Sequence, residues 1–151
     1  MHELAMSILV NVALGLVLVL AVRRDRAAAE ARLDGPDAAL RHFAEVFPDA
    51  AGNALVGDGG NAALITLSGD VGVGLVERHG HRWNVRLIEH GQIRALVADP
   101  DGTLHVRLTD FAWPAARIRI SDDAARNEWL GRLQGLMPSS ALTPARGAEH
   151  A

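Results

Sequence analysis

The sequence predicts a mainly β domain with flanking helices, carried on one N-terminal transmembrane helix. Three observations lead there. Residues 5–22 contain no charged side chain, apolar residues past Asn53 recur at every second position, and from Ser121 the repeat returns to that of a helix.

The run AMSILVNVALGLVLVLAV would span about 27 Å as a helix at about 1.5 Å per residue, close to the hydrocarbon thickness of a bilayer. Ser7 and Asn11 are its only polar side chains. A core helix would show a polar face, and a cleaved signal peptide would show a positive start and a small-residue cleavage site. Instead Glu3 and no Arg precede the run, and Arg23, Arg24, Arg26 and Arg32 follow it. The arginine excess after the span places the C-terminal domain in the cytoplasm, at the inner membrane, by the positive-inside rule. The chain so divides into an anchor (1–22), a juxtamembrane helix with a short amphipathic helix (23–52), a β domain with a closing helix (53–137), and a disordered tail (138–151).

Within 23–52, Gly35-Pro36 breaks the first helix and Pro36 opens the second, with Asp37 favouring its N-terminus. Leu40, Phe43, Ala44 and Phe47 recur at helical spacing until Pro48 ends the pattern. Seven strands follow, near 54–57, 62–67, 71–78, 81–89, 93–98, 103–109 and 116–120. Their clearest signatures are Trp83, Val85 and Leu87, then Leu104, Val106 and Leu108, then Ile118 and Ile120, each alternating with polar residues. Turn residues separate the runs, among them Gly57-Asp58-Gly59-Gly60-Asn61, His79-Gly80 and Asp99-Pro100-Asp101-Gly102. Short strands so closely spaced predict a small barrel or sandwich. Ser121 is the expected cap of the last helix, whose apolar face is Trp129, Leu130, Leu133 and Leu136.

Composition narrows the function. The formal net charge of −3 lacks the clustered basic excess of a nucleic-acid binder. All basic residues are Arg, which does not serve Schiff-base or general-base chemistry. With no Cys, disulfides, thiolate catalysis and thiolate metal sites are excluded.

Seven strands followed by Asp123-Ala124-Ala125-Arg126-Asn127-Glu128-Trp129-Leu130-Gly131-Arg132-Leu133 resemble the pleckstrin-homology-like superfold. The resemblance covers roughly residues 53–136 and implies a seven-stranded antiparallel open barrel closed by a C-terminal helix, with Trp129 in its mouth. The whole chain also resembles bacterial membrane proteins in which a short anchor precedes such a domain. Phosphoinositide-binding members carry basic residues on their first two strands, but residues 55–67 here hold no Lys or Arg and include Asp58. No family residue is therefore carried over.

Three constellations invite chemistry. His79, His81 and His90 could bring imidazoles toward a metal, but zinc usually recruits three or four ligands with carboxylate or Cys support. Asp99-Pro100-Asp101-Gly102 lacks the remaining ligands of a calcium loop, and turn chemistry accounts for it. Gly72-Val73-Gly74 lacks the third glycine of a dinucleotide fingerprint and marks a bulge or tight bend. No catalytic, cofactor-binding or metal-ligating residue is assigned, and no cofactor is expected. What remains is a set of outward strand arginines: Arg82, Arg86, Arg94, Arg107, Arg117 and Arg119. The expectation is a membrane-anchored, non-enzymatic interaction module with a protein partner. The alternatives are a binder of anionic lipid surface through the arginines, or a metal-binding protein or metal-dependent enzyme built on His79, His81 and His90.

Overall fold

The computed structural model describes residues 13–23, 31–50 and 52–139. It is mainly β, with three helices and two antiparallel sheets. Two compact units divide it, one of Met1–Ala31 with His79–Arg82, the other of Arg32–Arg78 with Trp83–Ala151. The first unit holds helix α1, residues 13–23, whose Leu14, Leu16, Val17, Leu18 and Leu20 are exposed.

This corrects the expected anchor. Among the described residues no helix is long and apolar enough to cross a membrane. Residues 5–12 of the expected span lie outside the described residues, as do Arg24 and Arg26 and the tail from residue 140. The single-pass membrane assignment is withdrawn. The cytoplasmic placement goes with it, because the arginine rule has no span among the described residues to orient.

In the second unit, α2 (Pro36–Val46) begins as its proline dictates, with Asp37 in the first turn. It buries Ala38, Ala39 and Phe43, while Ala44, expected on that face, is exposed. The first sheet has the order β1 (Gly52–Val56), β2 (Ala62–Leu67), β3 (Val73–His79), β4 (Arg82–Ile88). The second has the order β5 (Ile93–Ala98), β6 (Thr103–Leu108), β7 (Ala115–Arg119), and α3 (Asp123–Gly135) follows.

β2 and β3 are buried on both faces. Ala63, Ile65 and Val76 pack with Ala39 and Phe43 of α2. Ala62, Leu64, Val73 and Leu75 face the main core, with Leu104, Val106 and Ile118 of the second sheet and Trp129 and Leu133 of α3. A strand covered on both sides reads as a continuous apolar run, and the buried part of β2, Ala62–Ile65, is one. Gly74 is neither bulge nor bend. A Cβ there would lie 2.6 Å from Phe43 Cε2, so the glycine makes room for the α2 ring against β3.

The expected open barrel is not formed. The strands divide four and three into separate sheets, with no ladder from β4 to β5 or from β7 to β1. At the corner, the Gly91 N–H donates to the Leu136 carbonyl (2.8 Å) at the end of α3 and not to a strand. At β7 the sheets meet through the Asp58 N–H bonded to the Arg119 carbonyl at 2.8 Å. Trp129 is buried, but among both sheets and not in a barrel mouth. Asp122, not Ser121, caps α3, its carboxylate accepting from the Ala124 and Ala125 N–H groups at 2.9 and 3.3 Å.

Candidate interaction surface

The outer face of the second sheet follows from strand alternation. Leu104, Val106 and Leu108 turn inward, so Thr103, His105 and Arg107 turn outward, and in β7 Ala116 and Ile118 point in while Arg117 and Arg119 point out. Register sets His105 opposite Arg117 and Thr103 opposite Arg119, with Arg107 opposite Ala115. Opposed residues on one face lie about 4.5–5.5 Å apart at Cβ, so these basic groups share a patch.

The six expected arginines do not share it. Arg86 turns inward, its side chain only 13% exposed, and pairs with Asp110 at 2.7 Å. Arg82 opens β4 and belongs to the first unit, and Arg94 is exposed at a register shift in β5. Arg119 is engaged, donating from Nε to the Asp101 carbonyl at 3.3 Å and lying 3.9 Å from Asp58. Arg107 and Arg117 make no side-chain hydrogen bond or ion pair among the described residues.

Beside β7 lies a cleft of about 530 Å³, lined by Asp58, Asn61, Glu77, Arg78, Arg117 and Arg119 among others. Gly57 allows its wall to form, since a Cβ there would sit 2.7 Å from Ile118 Cγ1. Glu77 is the organising group, accepting from Trp113 Nε1 at 3.0 Å and from the Arg117 N–H at 3.4 Å. It therefore ties β3 to the β6–β7 loop and to the edge of β7. Sequence reading missed Glu77 because its partners lie 36 and 40 residues away.

The loop between β6 and β7 is held at both ends. Asp110 accepts from the Ala112 and Trp113 N–H groups at 2.7 and 3.4 Å while pairing with Arg86. The Ala112 hydrogen bond, with the Arg86 charge behind it, holds the Asp110 carboxyl below the usual carboxylate range. Across the sheet, the Thr103 N–H bond to Asp101 (2.9 Å) lowers the Asp101 carboxyl in the same way. Asp99-Pro100-Asp101-Gly102 is thus a turn, closed by the Gly102 N–H on the Asp99 carbonyl at 3.0 Å. Asp99 also meets His105 Nε2 at 2.6 Å.

The histidines weighed as metal ligands in the alternative reading are not gathered at one turn. His79 ends β3 and His81 lies in the following turn, whereas His90 lies in the turn after β4, 3.5 Å from Asp70. Among the described residues no three of His, Asp or Glu gather as a metal site requires. No polar or charged side chain is buried there either.

No family model, curated protein or solved structure matches the chain. Nothing therefore identifies it as pleckstrin-homology-like, and nothing points to a bacterial origin.

Proposed function

We propose that this protein is a non-enzymatic interaction module that receives an acidic segment of a protein partner on the outer face of β6 and β7. The observation that carries the reading is the contrast among its arginines. Arg86, Arg119, Arg126 and Arg132 are paired to carboxylates, whereas Arg107 and Arg117 stand exposed on one sheet face without such partners among the described residues. Exposed unpaired guanidinium groups keep five donors available in a fork that fits carboxylates.

The test uses a labelled oligoglutamate peptide, with anionic vesicles in parallel. The parent protein binds the peptide in a salt-sensitive way, as screened surface charges require. Exposed pairs contribute up to about 1 kcal/mol each, so Arg107→Glu with Arg117→Glu should weaken binding by about tenfold or more. Equal binding by parent and variant would sink the reading. A preference for vesicles over peptide would replace it with a lipid-surface function.

A further inference from the structure

The β6–β7 loop presents a second feature that the fold does not use. Phe111 is 99% exposed at its tip, while the backbone on either side is fixed. Asp110 holds two N–H groups of the loop and is itself held by Arg86, and Trp113 is held by Glu77. The Leu108 N–H and the Pro114 carbonyl close the base at 2.8 Å. A large apolar ring is thus kept in water by a preformed loop, and an ordered anchor loses little entropy on docking. Arg107 stands at the base of the same hairpin, opposite Ala115, and Arg117 lies further along the same face. The knob is therefore aromatic with basic neighbours.

The complementary hole lies elsewhere in the same unit. A groove of about 450 Å³ runs between the end of α2 and the β2–β3 turn, lined by Phe43, Val46, Phe47, Val71 and Leu87, with Asp49 at its rim. Val46 and Val71 are 54% and 51% exposed, so its walls are open to water. Asp70, in the same turn as Val71, is 98% exposed, with His90 Nε2 at 3.5 Å from one of its two carboxylate oxygens. The hole is apolar with acidic neighbours, opposite in charge to the knob.

We infer that two copies of this chain associate head to tail, Phe111 of one entering the Phe43–Val71 groove of the next, with Arg107 and Arg117 facing Asp49 and Asp70. This rests on the proposed function, of which it names the partner: the acidic segment is the groove rim of a second copy. The surfaces paired are different, so the contact is heterologous and leaves one knob and one hole free at the ends. One aromatic and two charge pairs bury less than a standard interface, so association should be weak, on the order of 100 µM.

Sedimentation velocity of the full chain over a concentration series tests this. The parent should self-associate reversibly, and Phe111→Ser or Val71→Glu should each weaken association at least about tenfold. Both positions are exposed, so unchanged melting curves should accompany the loss. The decisive arm mixes the two variants. Phe111→Ser keeps a working groove and Val71→Glu keeps a working knob, so the mixture should form a one-to-one pair that grows no further. A parent that stays monomeric would overturn the inference, as would association that survives both substitutions or a mixture that fails to pair. If the parent is monomeric yet oligoglutamate still binds through Arg107 and Arg117, the proposed function stands and only the self-pairing falls. Loss of peptide binding as well would remove both.

Discussion

Arg86 and Arg107 are both strand arginines flanked by apolar residues, but burial separates them. A guanidinium only 13% exposed needs a partner, because an unpaired charge there would bear its desolvation alone. Asp110 supplies the partner and is fixed in turn by the Ala112 and Trp113 N–H groups. The consequence is a dependence on acid. The folded Asp110 carboxyl sits below its ordinary value, first through the Ala112 N–H and then through Arg86. Its contribution to stability is therefore complete above the ordinary carboxylate value of about 3.9 and fades as pH falls through the lower folded value. Asp101 acts with the same sign through Thr103. Urea midpoints measured at about pH 6 and about pH 3 should fall for the parent, and less steeply for Asp110→Asn. The substitution should also lower stability at the higher pH, since it removes the ion pair. Equal losses in the two proteins would mean that Asp110 is not held below its ordinary range.

At the scale of elements, α3 shows how a cap is chosen. Ser121 and Asp122 are both good capping residues, and nothing in their order decides between them. Backbone geometry does, because Asp122 is extended and its carboxylate reaches two orphan N–H groups, whereas the Ser121 N–H is turned to Asp58. Asp122→Ala should cost about 1 kcal/mol and Ser121→Ala less than about 0.5, read from urea denaturation. The reverse order would return the cap to Ser121. The strands teach a related lesson. β6 and β7 were legible because one face is wet, so Leu104, Val106 and Ile118 alternate visibly with His105, Arg107 and Arg117. The packing of β3 was not, because Val73–Val76 is covered on both sides and Gly74 carries no sign of the Phe43 ring that meets it. Of the candidate surface, Arg107, Arg117 and Arg119 could be placed by alternation. The inward turn of Arg86 and the tie through Glu77 depend on residues distant in sequence.

For the whole β unit, alternation tells which face of a strand is buried but not which strands share a ladder, and so the division into four and three strands lay beyond it. Of the apolar run of residues 5–22, the described part is a helix over 13–23, and no helix among the described residues is long and apolar enough to cross a membrane. What the fold adds is a layering of α2, the first sheet, and the second sheet with α3, in which β2 and β3 lie innermost. That order should appear in native-state hydrogen exchange, where protection follows burial and cooperative depth. Leu64 and Ile65 of β2 pair with Leu75 and Gly74 of β3, and the β2 and β3 side chains pack into both apolar clusters. β7 differs on each count. It is an edge strand with one wet face, and its Arg117 N–H meets only the Glu77 carboxylate at 3.4 Å. The amides of Leu64, Ile65, Leu75 and Val76 should therefore exchange last, at rates set by global unfolding, and Arg117 among the first strand amides. If the β7 amides proved as protected as those of β2, the second sheet would be the more stable layer, and the two-sided covering of β2 and β3 would not be what holds the unit together.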